Sequence, residues 1–180
     1  MITVTVDTNV FPISELPAAL EPHGFKFVPI TVSQREVKNT SFEEVLKEFT
    51  PSREFSVWGE NVWGGAQYAS ADEASCLEKA LSIISNGSFP KPGRRDNLKP
   101  SERRQLRDAI ILCTHRRDGR DILLTNDRKA FINGGRREKI LNNLGVQVLS
   151  LDEFRARYAG YLTDSAPPAG PDEAGEGINE

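Results

Sequence analysis

The amino terminus constrains the fold more tightly than any other stretch. Residues 2–6 read Ile-Thr-Val-Thr-Val, so apolar Ile2, Val4 and Val6 alternate with Thr3 and Thr5. Period-two alternation of β-branched residues predicts a strand. The run stops at Asp7, with Thr8 and Asn9 next. An apolar strand that ends in a carboxylate delivers a charge to the carboxyl edge of a sheet, where open α/β folds bind ligands. Asp and Asn also favour turns and helix N-caps, so this ending has a purely structural reading as well.

The same grammar recurs late in the chain. Asp121-Ile122-Leu123-Leu124-Thr125 predicts a strand, and Thr125-Asn126-Asp127 comes next, before the helical start at Arg128, Lys129, Ala130 and Phe131. One such ending is weak; two in one α/β chain suggest a single acidic site at one sheet edge. Further strands are expected at 25–30 and 146–149. Helices are expected at 14–20, from Thr31 or Ser33 onward, at 41–49, 72–85, from Ser101 to Arg117, at 136–144 and at 152–161. Strands alternating with helices predict an α/β protein with a parallel sheet covered on both faces. Four strands are readable, and a fifth, short edge strand is left unplaced.

Two more carboxylates stand out. Glu36 falls about one turn into the helix after the second strand, above the sheet edge, with a surface helix glutamate as its bland alternative. Asp108 sits beside Ala109, Ile110 and Ile111. An unpaired carboxylate there is expensive to bury, so it needs Arg104 at i−4, a capping role elsewhere, or a metal. Residues 51–71 are irregular and hold Trp58, Trp63 and Tyr68 among Gly59, Gly64 and Gly65. Such aromatics can stack on bases, but packing or a dimer contact is the favoured reading.

Charge is unevenly distributed. Residues 91–139 hold 15 of the 23 basic residues against 7 acids. Residues 164–180 carry Asp164, Asp172, Glu173, Glu176 and Glu180 and no Lys or Arg; removing those five acids turns the net charge of −3 into +2. A basic rim around an acidic pocket suits a polyanionic substrate, with Arg94, Arg95, Arg104, Arg107, Arg128 and Lys129 as candidate phosphate contacts. Solvated helix faces are the alternative for each of them. Residues 1–162 are expected to form one domain, and the Pro-, Gly- and acid-rich 163–180 a disordered tail. Cys76 and Cys113 lack metal-ligand spacing and read as small buried hydrophobes of a reducing compartment. His23 and His115 are too few for a histidine-based metal site. No signal-peptide pattern opens the sequence and no apolar run reaches the length of a membrane span, so the expected location is the cytoplasm.

Taken in order, Val6-Asp7-Thr8-Asn9-Val10-Phe11, Glu36, Arg107-Asp108-Ala109-Ile110-Ile111-Leu112 and Leu123-Leu124-Thr125-Asn126-Asp127-Arg128-Lys129-Ala130-Phe131 resemble the motifs of PIN-domain ribonucleases, especially the VapC-like toxins of toxin–antitoxin pairs. The resemblance covers residues 1 to about 150. It implies a three-layer α/β/α sandwich, Mg²⁺ or Mn²⁺ held by acidic residues, and endonucleolytic cleavage of RNA. Carried over, the acidic set is Asp7, Glu36, Asp108 and Asp127, both catalytic and metal-binding, with Asn9 and Thr125 as supporting polar residues. It also implies an antitoxin protein and a homodimer as partners. The 51–71 loop and the acidic tail depart from a minimal member. The chemistry is coherent without the name: crowded carboxylates repel and call for a cation, and hard divalent ions prefer oxygen ligands. Two other functions stay open, a non-catalytic PIN-like RNA-binding or scaffold protein and an α/β phosphatase-type enzyme with Asp7 as nucleophile. The second is weakened by Asp-Thr-Asn where paired aspartates would be wanted.

Overall fold

The computed structural model describes residues 1–13, 15–31, 49–54 and 69–163. The helix expected to carry Glu36, most of the one at 41–49, the tryptophans and Tyr68, and the acidic tail from Asp164 lie outside the described residues.

The elements are β1 (Ile2–Val6), α1 (Glu15–Leu20), β2 (Phe25–Pro29), α2 (Ala71–Ile84), α3 (Pro100–Arg117), β3 (Ile122–Leu124), α4 (Arg136–Leu144), β4 (Val148–Leu149), α5 (Leu151–Arg157) and α6 (Ala159–Thr163). The four strands form one all-parallel sheet in the order β2-β1-β3-β4. Val6 of β1 stands between Pro29 of β2 and Leu124 of β3. A single parallel bridge between Ile30 and Ser52 extends the sheet beyond β2, closed by Thr31 N to Ser52 O and Ser52 N to Pro29 O, both 3.0 Å. Among the described residues no fifth strand goes beyond this one bridge.

Alternation along the strands builds two cores. Val4, Val6, Phe25, Phe27, Ile122 and Leu124 face one way, against Leu16 and Leu20 of α1 and Phe154 of α5. Ile30, Leu123 and Val148 face the other way, against α2, α3 and α4. Helices therefore cover both faces, giving three α/β/α layers. The central strand is the exception: on its α3 side β1 presents Thr3 and Thr5, and Thr5 is fully buried.

Local signals explain the boundaries. Ser70 and Ser150 cap α2 and α5, each in a reciprocal box with a glutamate three residues on. Helix α3 begins at Pro100, one residue before the expected Ser101, because proline's fixed φ suits a first helical turn. The single helix expected at 152–161 divides at Tyr158, which lets the rings of Tyr158 and Tyr161 both meet Phe25, at 4.9 and 6.0 Å.

One expectation is corrected. Cys76 of α2 and Cys113 of α3 are each 1% exposed, as anticipated, but they are joined as a disulfide and not left as free thiols. Packing of α2 along α3 brings their Cα atoms to 5.8 Å across a sequence separation of 37, a proximity that spacing alone hides. The inference of a reducing compartment loses its basis. Among the described residues, no helix is long and apolar enough to cross a membrane.

Candidate active site at the carboxyl edge of the sheet

From β1 the chain moves to β2 through α1 on one face; from β2 it crosses back over β1 to β3 through α2 and α3 on the other. The connections of β1 and β3 thus leave in opposite directions, which makes their shared carboxyl edge a topological switch point, the place where open α/β sheets bind ligands. The two carboxylate-terminated strands predicted from the sequence are these two neighbours.

Asp7 is the hub of that edge. It is 4% exposed, and donors from both strand ends converge on it. Its Oδ1 accepts from the Thr8 main-chain N–H at 2.8 Å and more distantly from the Thr8 hydroxyl. Its Oδ2 accepts from Asn9 Nδ2 at 2.7 Å and from Thr125 Oγ1 at 2.6 Å. The Asn9 amide is oriented by its other end, because Asn9 Oδ1 accepts from Asn126 N at 2.7 Å. Thr125 Oγ1 also accepts from Asp127 N at 3.0 Å, so one hydroxyl links Asp7 to the turn that carries Asp127. The half-buried Asp127 caps that turn by accepting from Ala130 N at 2.7 Å. Asn126 reaches onward, its Oδ1 accepting from Leu151 N at 3.2 Å, which ties the edge to the start of α5. Both readings of Asp7 are realised together: it caps the short turn Thr8–Val10 and occupies the switch point.

Asp108 is placed by helix geometry. Helix α3 ends where β3 begins, so it runs antiparallel to the strands with its first turns over the carboxyl end. His115 of α3 contacts Thr5 of β1, Nδ1 to Oγ1, at 2.8 Å. Asp108 precedes His115 by seven residues, two turns of one helix face, or about 10 Å toward the carboxyl edge. Asp7 lies two residues beyond Thr5, about 7 Å in the same direction and on the same sheet face. Asp108 is half-buried, two helical turns before His115 and so toward the carboxyl end of the sheet. Arg104, its neighbour at i−4, is exposed, and Asp108 itself is engaged within the fold.

Glu36 lies outside the described residues. Among the described residues, no group of three or more His, Cys, Asp or Glu side chains is arranged to hold a metal ion. The donor atoms at the edge, from Asp7, Asn9, Asp108, Thr125 and Asp127, include hard oxygens and no thiolate or imidazole, which fits Mg²⁺ or Mn²⁺ better than softer metals. A bound ion of that kind would supply positive charge against a phosphodiester. The chain's own residues hold the Asp7 carboxylate fixed and buried, and leave Asp127 half-buried on the adjoining turn.

The candidate phosphate contacts separate into groups. Arg94, Arg104, Arg128 and Lys129 are exposed. Arg95 is engaged elsewhere, bidentate to Glu78 at 2.8 Å and over the Phe89 ring. Arg107 is half-buried beside Asp108.

A second polar cluster, missed in the sequence, lies beneath the sheet on the α3 side. Thr5 Oγ1 accepts from Arg120 Nη1 at 3.0 Å and faces His115. Arg120 also reaches the Val28 carbonyl at 3.3 Å and Asp118 at 2.6 Å. Asp118 accepts from Arg117 at 2.8 Å and from the Ser52 hydroxyl. Burial, aided by the Arg120 charge, holds His115 down at a pKa of about 4, so it is neutral. Burial alone would raise Asp118, but bonds from Arg117 and Ser52 and the Arg120 charge leave it below its ordinary value. The i, i+7 spacing from Asp108 is the one signal in the sequence that could have placed His115 on the same helix face. Glu54, fully buried next to the edge strand with its N–H donating to Thr31 Oγ1 at 3.1 Å, had no comparable signal.

No protein-family model matches this chain, and no curated protein matches it in sequence.

Proposed function

We propose that the chain is a Mg²⁺- or Mn²⁺-dependent endoribonuclease of the PIN type, and in the finer reading the toxin of a toxin–antitoxin pair. The observation that carries the proposal is the buried Asp7 carboxylate at the β1–β3 switch point, bonded to Thr125, with Asp108 two turns of α3 from His115 toward the same edge. A carboxylate pair at such an edge is suited to placing a hard cation against a phosphate. The exposed cations of residues 91–139 supply sequence-independent attraction for the RNA backbone. An antitoxin and a second copy of the chain belong to the same proposal.

A second reading has its own support. Asp7 accepts from Thr8, Asn9 and Thr125 at once, and a purely structural carboxylate in a non-catalytic RNA-binding scaffold would do the same. Incubation of the full chain with labelled single-stranded RNA separates the two. The nuclease reading expects Mg²⁺- or Mn²⁺-dependent cleavage, abolished by chelation and reduced at least 100-fold by Asp7→Asn and by Asp108→Asn (about 3 kcal/mol of barrier each). Cleavage equal in both variants and the parent would overturn the site, and RNA binding without cleavage would leave the scaffold.

A further inference from the structure

Two exposed asparagines stand beside the buried Asp7 carboxylate, and hydrogen bonds decide which way their amides point. Asn9 and Asn126 are both exposed, so packing fixes neither side chain. An asparagine amide has one accepting end and one donating end of nearly the same shape. Flipping Asn9 would set its oxygen against the Asp7 carboxylate with no proton between them. Main-chain N–H groups prevent this, because they can only donate. Asn126 N donates to Asn9 Oδ1 at 2.7 Å, which leaves Asn9 Nδ2 to donate to Asp7 Oδ2 at 2.7 Å. The next N–H along the chain does the same for Thr125. Asp127 N donates to Thr125 Oγ1 at 3.0 Å, and the hydroxyl proton goes to Asp7 Oδ2 at 2.6 Å, which is charged and nearer than Asn9 Oδ1 at 3.3 Å. Two consecutive N–H groups thus turn two neutral side chains into obligate donors to one carboxylate oxygen.

The side chain of Asn126 is what aims those N–H groups. Its Oδ1 accepts from Leu151 N at 3.2 Å. Leu151 is the first residue of α5, and N–H groups at a helix start have no partner within the helix. Ser150 serves the N–H of Glu153, and Asn126 serves that of Leu151. Helix α5 is itself held in place, since its Phe154 is fully buried against Phe25 and Phe27. We propose that Asn126 is a positioning residue: it docks the turn 125–127 on the start of α5, so that the main-chain N–H groups of residues 126 and 127 hold Asn9 and Thr125 as donors to Asp7. The relay runs from Leu151 through Asn126 and Asn9 to Asp7, and it makes α5 part of the scaffold of the site. The donor arrangement stands by itself; its consequence for cation binding rests on the nuclease reading.

Two variants of the full chain test it. Asn126→Ala loses the acceptor oxygen. Asn126→Asp keeps it and puts a negative charge at a helix start, where it is favourable. The first readout is the pair of Asn9 side-chain amide signals in heteronuclear NMR, recorded without metal or RNA and assigned by their loss in Asn9→Ser. In the parent and in Asn126→Asp the two protons should be well separated, with one held by Asp7. In Asn126→Ala they should move toward free-asparagine positions and exchange with solvent about 3- to 10-fold faster, the weight of one hydrogen bond. Asn9 signals unchanged by alanine overturn the proposal, and so does an aspartate variant that behaves like the alanine one. The second readout is a Mn²⁺ titration followed by electron paramagnetic resonance. Alanine should weaken binding about 3- to 10-fold, and aspartate should bind at least as tightly as the parent. Equal affinity in the parent and the alanine variant also overturns the proposal. If the Asn9 signals respond as expected but the parent itself binds no Mn²⁺, the nuclease reading fails and the positioning role of Asn126 stands.

Discussion

Thr125 Oγ1 donates to Asp7 Oδ2 at 2.6 Å, and this bond joins the carboxyl ends of the two strands that flank the switch point. The same oxygen accepts from Asp127 N at 3.0 Å, so its removal strips two partners from the site at once. Thr125→Val keeps the shape and loses the hydroxyl. It should destabilise the protein by about 1.5–3 kcal/mol, the range for a buried hydrogen bond to a charged group, and lower any nuclease activity along with Asp7→Asn. Thr125→Ser should restore most of both. Urea denaturation reads the stability, and a valine variant as stable as the parent would show that the bond carries no weight.

His115 makes stability depend on pH. Its folded pKa of about 4 lies below the ordinary 6.5 because of burial first and the Arg120 charge second. Between those values the unfolded chain binds the proton and the folded one does not, so the contribution is full above pH 6.5 and is lost as pH falls toward 4. The whole interval is worth about 3 kcal/mol. Denaturation at pH 7, 5.5 and 4.5 should show this decline, and His115→Gln should flatten it. An unchanged slope in the variant would assign the dependence to other groups.

The Cys76–Cys113 disulfide closes a loop with a sequence separation of 37. Loop-closure entropy for that length corresponds to about 4 kcal/mol. Reduction, or Cys113→Ser, should lower the denaturation midpoint accordingly. Thiol labelling of the denatured protein should find no free cysteine before reduction and both afterwards. Two labelled thiols without reductant would refute the pairing.

Asp118 neutralises an Arg120 side chain that is only 7% exposed. Taking the acid away leaves a mostly buried guanidinium without its counter-charge. Asp118→Ala should therefore cost about 2–3 kcal/mol, less than a fully dry pair would because Asp118 keeps some solvent contact. Arg120→Met in the same background should recover part of the loss. A double-mutant cycle with no coupling between the two positions would argue against the pair.

Features set by short-range pattern were legible in the sequence. Alternation in residues 2–6 and the apolar run 122–124 identified the two central strands, and their carboxylate endings located the edge that Asp7 and Thr125 share. Helical spacing and the breaks around it placed α2 and α4 within a residue, whereas the single helix expected at 152–161 is divided into α5 and α6. Features that depend on partners far apart in the chain stayed hidden. Nothing near Cys76 or Cys113 announces their pairing, because it arises from how α2 lies on α3. Thr3 and Thr5 look alike in the strand's polar register; the central position of β1 buries Thr5 against His115 and Arg120, while Thr3 bonds Asp121 nearer the surface. Arg95 resembles its exposed basic neighbours in sequence, yet the fold commits it to Glu78 and Phe89. The candidate site acids were picked out by motif, whereas the groups that hold the scaffold beneath them are distributed and carry no motif.

The contact between His115 and Thr5 also works as a vernier. Strand and helix advance by different steps, about 3.3 Å per residue on β1 and about 1.5 Å on α3, and this one contact sets the zero between the two scales. Two strand residues lead from it to Asp7, and seven helix residues lead from it to Asp108. Lengthening the helical arm by one residue would slide Asp108 along by only one small division, but would also swing it about 100° around the helix and off the sheet. Inserting a full turn would return it to the right face one notch farther out. Between Asp108 and His115, then, the length of the chain is fixed as firmly as its buried residues 109–114 are.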